Sequence, residues 1–103
     1  MKAIENMIGK KVLIRSSDSG VHYGTLTEYN NGTVHLKDSR RLWEWHVASH
    51  GISLTEVAIQ GIDHKKSRIT DWLPDIIIIG VCEIIPTHGM AEALIEGAPV
   101  ATG

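Results

Sequence analysis

The stretch "YNNGTVHL", Tyr29 to Leu36, limits what this chain can fold into more than any other. Asn and Gly tolerate positive φ, which a tight connection between antiparallel strands demands, so the stretch predicts a hairpin. Its flanks agree. "VHYGTLTEY" alternates and places Val21, Tyr23 and Thr25 on one face, and "TVHLKDS" returns as the partner strand. Upstream, "MIGKKVLIRS" puts Ile8, Val12 and Ile14 on one face with Gly9 before them, and "SSDSG" supplies turn chemistry. Residues 7–45 therefore predict a three-stranded, curled antiparallel meander.

The remainder changes character. In "SLTEVAIQG", Ser53 and Glu56 have the spacing of a capping box, in which each side chain satisfies an exposed amide. A helix over 53–61 follows, with Leu54, Val57 and Ala58 on one face and Gly61 as its stop. Pro74 precedes "DIIIIGVCEII", whose residues are apolar on both faces. That pattern predicts one buried strand over 75–85, with Cys82 inside it and Glu83 at a strand end or paired with a cation. "THGMAEALIEG" predicts a helix over 88–96 with Ala91, Leu94 and Ile95 inward and Gly97 closing it. The expected class is α+β: a small, mainly antiparallel, curled β-sheet with two short helices. Such a sheet leaves exposed edges and too little cover for a strand buried on both faces, so a homo-oligomer, dimer or tetramer or larger, is expected.

At 103 residues with 43% hydrophobic and 21% charged side chains, the chain reads as a single globular domain over 1–103. The net charge of −2 argues against a long nucleic acid as partner, because phosphate backbones select a strong positive excess. A small anion needs only a local positive cluster. Cys82 stands alone, which excludes an internal disulfide and a cysteine metal cluster. "MKAIENMIGKKV" has no apolar signal core, and the longest apolar run, Ile76 to Cys82, is too short to cross a bilayer. A cytoplasmic protein without membrane contact is the expectation.

Enzyme signatures are missing: no Walker-type loop, no G-x-S-x-G, no H-E-x-x-H. The six histidines are scattered, and only His46 and His50 stand four apart, without further ligands at a metal-site spacing. No catalytic residue, metal or cofactor is expected.

Binding chemistry is better represented. In "KDSRRLWEW", strand alternation sets Arg41, Trp43 and Trp45 on one face and Arg40, Leu42 and Glu44 on the other. Guanidinium groups fork onto phosphate oxygens, and indoles stack on bases. The competing reading makes Trp43 core and Trp45 an edge cap, with the arginines lying along the surface. A second cluster, "RSSDSGVHY", offers Arg15, the Ser16 and Ser17 hydroxyls, loop amides near Gly20, His22 and Tyr23. These are components of a phosphate cradle, although turn chemistry alone explains the serines. A third positive patch, Lys65, Lys66 and Arg68, is read as a solvated loop. The expected site has Arg15, Arg40 and Arg41 on phosphates and Trp43, Trp45 and Tyr23 against bases. Ser16, Ser17 and His22 supply hydrogen bonds.

Together, "MIGKKVLIRSSDSGVHYGTL", "LKDSRRLWEW" and "PDIIIIGVCEIIP" resemble a family of small bacteriophage proteins, from about Met7 to Val100. That family is similar to the viral nucleotide sponges that defeat bacterial cyclic-oligonucleotide immunity, the anti-CBASS proteins. The resemblance implies a non-enzymatic oligomer in the cytoplasm of the infected host. It would sequester a cyclic di- or trinucleotide in pockets between subunits. No ligand contact is carried over residue by residue, so the site residues above rest on their chemistry. A phage protein–protein interaction or accessory structural module with a Trp/Arg surface is the alternative, and a small hydrolase a third.

Overall fold

The computed structural model describes residues 2–102, so the two end positions of the expected 1–103 domain lie outside the described residues. In chain order the elements are α1 (Lys2–Glu5), β1 (Lys11–Ser16), β2 (Gly20–Asn30), β3 (Thr33–Glu44) and α2 (Leu54–Gln60). They continue with β4 (Arg68–Ile69), β5 (Leu73–Ile79), β6 (Val81–Pro86) and α3 (Gly89–Glu96). The class is α+β, as the sequence predicts, with one more helical turn, α1, than expected.

β1, β2 and β3 form the predicted meander. Asn31 at φ 48° and Gly32 at φ 77° make the two-residue connection between β2 and β3, both in the left-handed region that a primed turn requires. The β2–β3 register slips between Tyr23 and Thr25 and again between Leu26 and Glu28. Such bulges bend a strand and increase its twist, and here they curl the sheet. β3 is long enough to carry two partners along its other side: β5 on its first half and β4 near its end. β6 pairs with β1, and every pairing between strands is antiparallel.

The single buried strand expected over 75–85 is corrected to two strands. Gly80, at φ 74°, turns the chain between β5, which lies along β3, and β6, which lies along β1. Nor is the isoleucine run buried on both faces. Ile78 is buried and Ile76 half-buried, while Ile77 and Ile79 are 66% and 72% exposed. Cys82, expected inside, is exposed as well. β5 is an outer strand with one face toward the core, and it carries isoleucine on the other face too. The turn at Gly80 joins the two sides of the curl: the Val81 N–H donates to the Gly32 carbonyl at 2.9 Å, and the Ser16 hydroxyl to the Ile79 carbonyl at 3.1 Å.

The curled sheet is packed on both faces. One cluster joins Val12, Ile14, Leu26, Val34, Leu36 and Ile78. It draws on β1, β2, β3 and β5 at once, with Ile84 of β6 against it, so it fills the inside of the curl. The other cluster lies outside, where Leu13, Tyr23 and Leu42 meet Leu54, Val57 and Ala58 of α2 and Ile95 of α3. α2 starts at the predicted capping box: Glu56 Oε1 accepts from the Ser53 N–H at 2.9 Å, and Ser53 Oγ accepts from the Thr55 N–H at 3.2 Å. α3 buries Ala91 and Ile95, half-buries Leu94, and ends with the Gly97 N–H on the Ala93 carbonyl at 2.9 Å.

Candidate functional site

Register decides which side chains stand beside the helices. On the outer face, β1 and β2 oppose one another in three rows: Lys11 with Thr25, Leu13 with Tyr23, and Arg15 with Val21. α2 and α3 cover the middle row. The rows on either side line two separate clefts. The Arg15 cleft has a volume of about 470 Å³ and is bounded by Arg15, Val21, Trp45, Ser53, Thr55 and Glu83. The Lys11 cleft has about 330 Å³ and is bounded by Lys11, Tyr23, Thr25, Asp38, Trp72 and Glu96.

The nine residues expected to bind ligand are divided among four places. Arg15 and Trp45 come together in the Arg15 cleft. Trp45 lies one residue beyond the end of β3, so strand alternation no longer governs it, and it packs against the outer core rather than beside Trp43. Arg41 and Trp43 lie on the other side of β3 from Arg40 and Leu42, with Arg41 opposite His22 on β2. Trp43 is 70% exposed, which removes it from the core, and Arg41 is half-buried. His22 is buried, with Nε2 at 3.0 Å from the Ser19 carbonyl. Burial, followed by the Arg41 charge, lowers its pKa from the ordinary histidine value, against a small opposite effect of the Ser19 carbonyl. Ser16 is buried and its hydroxyl is engaged by Ile79, whereas Ser17 is exposed in the turn. A common phosphate cradle is not assembled from them.

Arg40 and Tyr23 are the clearest corrections, because the outer core uses both. Arg40 is 1% exposed. Its Nε donates to the Thr70 carbonyl at 2.8 Å, and Nη1 to the carbonyls of Ile95 and Ala98, each at 2.8 Å. Ile95 is in the last turn of α3, where carbonyls lack helical partners and a cation is favoured. Arg40 thus pins the end of α3 to the sheet and cannot reach a phosphate in solvent. Trp72 lies over its guanidinium, 5.2 Å from ring centroid to Cζ. Burial pulls the Arg40 pKa down from its ordinary value, and the charge of Asp71 opposes this.

Tyr23 is buried and donates its hydroxyl to Glu96 Oε2, which Lys11 Nζ also reaches at 2.7 Å. Burial first, and then Glu96, raises the Tyr23 pKa well above the ordinary phenol range. Burial pushes the Glu96 carboxyl up, but the Lys11 and Tyr23 hydrogen bonds and the Lys11 charge outweigh it and hold Glu96 below its ordinary value. The Lys11 ammonium is shifted up, chiefly by that same hydrogen bond.

The Arg15 cleft is better suited to a ligand. Its walls are about equally polar and apolar, with a guanidinium, a carboxylate and two hydroxyl residues bordering the same space, so an anionic group and a flat ring can each find a partner there. Arg15 Nη1 is 3.2 Å from Glu83 Oε1, the cation partnership expected for Glu83, and both side chains remain about half exposed. Sequence reasoning missed Ser53 and Thr55 as cleft residues, since their signal is that of a helix cap. It missed Trp72 because no periodic pattern surrounds it. Among the described residues, no group of three or more His, Cys, Asp or Glu side chains could hold a metal ion, and His46 bonds Glu44 at 3.3 Å. No helix among them is long and apolar enough to cross a membrane.

Residues 9–95 match a family model described as a domain of unknown function (DUF6948). The chain belongs to this family. The matched span starts just before β1 and ends within the last turn of α3, so it takes in the curled sheet, α2, α3 up to Ile95 and every residue bounding the two clefts except Glu96. No curated protein matches the sequence, and no solved structure matches it.

Proposed function

We propose that this DUF6948 chain binds a small phosphorylated ligand carrying a flat base, of the cyclic di- or trinucleotide class, and holds it without cleaving it. The observation that supports this is the meeting of Arg15 and Trp45 in one cleft of about 470 Å³. That volume lies in the range of roughly 300–1,000 Å³ typical of small-molecule sites. The guanidinium supplies forked donors for phosphate, and the indole supplies a stacking face. Thr55 adds a hydroxyl to the lining, beside the Ser53 hydroxyl of the α2 cap, which donates to Glu56 Oε1 at 2.9 Å. On this reading the protein is a sponge in the cytoplasm of an infected bacterium, and the rest of a cyclic ligand extends over the lip or against a second copy of the chain.

Titration calorimetry with a panel of cyclic dinucleotides and trinucleotides tests the reading. At least one is expected to bind, with affinity falling tenfold or more in Arg15→Ala and Trp45→Ala. The ligand is expected back intact after heat denaturation. Folded protein that binds none of the panel overturns the proposal, and recovery of cleaved ligand overturns sequestration.

A different observation favours a second reading, a protein-interaction module. Trp43 is 70% exposed, and the Arg41 guanidinium has no partner among the described residues. Tryptophan and arginine are the usual anchors of protein interfaces. If this pair holds a partner or a second copy, Trp43→Ala changes the mass measured by light scattering or abolishes partner capture. Cyclic-nucleotide affinity then stays at the wild-type value.

A further inference from the structure

We infer that the Lys11 cleft is a second ligand site, built for a neutral amino-substituted heterocycle of the nucleobase class. Its volume of about 330 Å³ suits one ring system rather than a dinucleotide. Trp72, 41% exposed, forms one wall; the guanidinium of Arg40 lies 5.2 Å from its ring centroid.

Polar groups stand unused around this wall. The Thr25 hydroxyl and the Asp38 carboxylate have no hydrogen-bond or ion-pair partner among the described residues. Glu96 engages both Lys11 and Tyr23 through Oε2, which leaves Oε1 open, and the Lys11 ammonium has further N–H groups to give. The cleft therefore offers two carboxylate acceptors, a hydroxyl, an ammonium donor and an aromatic surface.

The charges then select the ligand. An anion would meet Asp38 and Glu96. A cation on the indole would meet Arg40 behind the ring and Lys11 beside it. A neutral ring with both donors and acceptors satisfies all of these groups: an exocyclic amine gives to Asp38 or Glu96, and a ring nitrogen or carbonyl accepts from Lys11 or Thr25. This site uses neither Arg15 nor Trp45, so it stands or falls apart from the phosphate cleft.

Heteronuclear NMR with free adenosine, guanosine, cytidine and uridine decides the matter, because each of the three tryptophans contributes one indole N–H signal. The Trp72 signal is expected to move on titration with an amino-bearing nucleoside, and uridine, which lacks the amine, is expected to bind more weakly. Trp72→Ala is expected to weaken binding about fivefold or more. Asp38→Asn, conservative at an exposed position, is expected to narrow the gap between the amino-bearing nucleosides and uridine. The inference is overturned if no nucleoside perturbs folded protein, if the Trp45 signal moves instead of Trp72, or if both variants bind like wild type.

Discussion

The two faces of the sheet are held by different physics. Inside the curl, Val12, Ile14, Leu26, Val34, Leu36 and Ile78 pack against one another, and the cohesion is that of apolar burial. Outside, the apolar cluster beneath α2 and α3 is accompanied by directed polar ties: Arg40 to the end of α3, and Tyr23 with Lys11 to Glu96 on the same helix. The inner face draws its residues from almost every strand, so it has no separable part. The outer face attaches individual elements through named bonds. The Arg15 and Lys11 clefts lie on the second kind of surface, because its cover is local and leaves the flanking rows open.

If this distinction holds, damage to the inner face spreads and damage to the outer face stays local. Leu36→Ala should cost about 2–5 kcal/mol, as a cavity in a packed core does, and should lower the midpoint of cooperative unfolding measured by denaturant titration. Arg40→Met keeps much of the side chain's length but removes its donors. About 2–3 kcal/mol is expected from the loss of charge-assisted hydrogen bonds. Its signature is different: hydrogen exchange should accelerate in α3 and the segment after it, while the amides of β1 and β2 stay protected. Uniform acceleration throughout the sheet would break the comparison.

Tyr23→Phe sharpens it further at a cost of about 1 kcal/mol. Glu96 has a lowered pKa in the folded protein, so its contribution is present above the ordinary 4.5 and is lost as pH falls through the folded value. Tyr23 has a raised pKa, so its contribution is present below the ordinary 10.0 and is lost as pH rises beyond it. Wild-type stability should therefore decline at both ends, below about pH 4.5 and above about pH 10. The phenylalanine variant should lose the alkaline decline due to this phenol and show a shallower acid one. Thermal unfolding across pH measures both limbs.

What could be read in advance follows the same division. The meander, the Asn31–Gly32 turn and the Ser53–Glu56 capping box are local, and a local pattern specifies each of them. Arg40 was placed correctly on the face of Leu42, but its duty depends on α3 arriving from more than fifty residues away, which no strand pattern announces. Trp45 left its expected face because β3 stops at Glu44. In the isoleucine run, hydrophobicity on both faces read as two-sided burial. Exposure of Ile77 and Ile79 follows from the outer position of β5, which pairing across the whole sheet determines. The Arg15 cleft was half legible: two of its residues were expected at a site, but Ser53, Thr55 and Glu83 join them only through the packing of α2 and β6 beside β1.

The smallest expected change in stability is also the one most informative about ligand. Glu83→Gln removes the partner of Arg15 at 3.2 Å, in a pair about half exposed on both sides. Exposed pairs contribute about 0–1 kcal/mol, so the melting temperature should hardly move. Binding is a different matter, because the Glu83 carboxylate occupies the guanidinium that a phosphate needs and repels the incoming anion. Gln keeps the shape and removes that charge. A phosphorylated ligand in the Arg15 cleft should therefore bind several-fold tighter to the variant, most clearly at low ionic strength, where screening is weakest. Unchanged affinity would mean that the ligand's phosphate sits away from Arg15. Weaker binding would make Glu83 a ligand contact in its own right, accepting a hydrogen bond from the base. The second result would keep the ligand in this cleft, whereas the first would move the anion-binding group off the outer face, with Arg41 beside Trp43 as the next candidate.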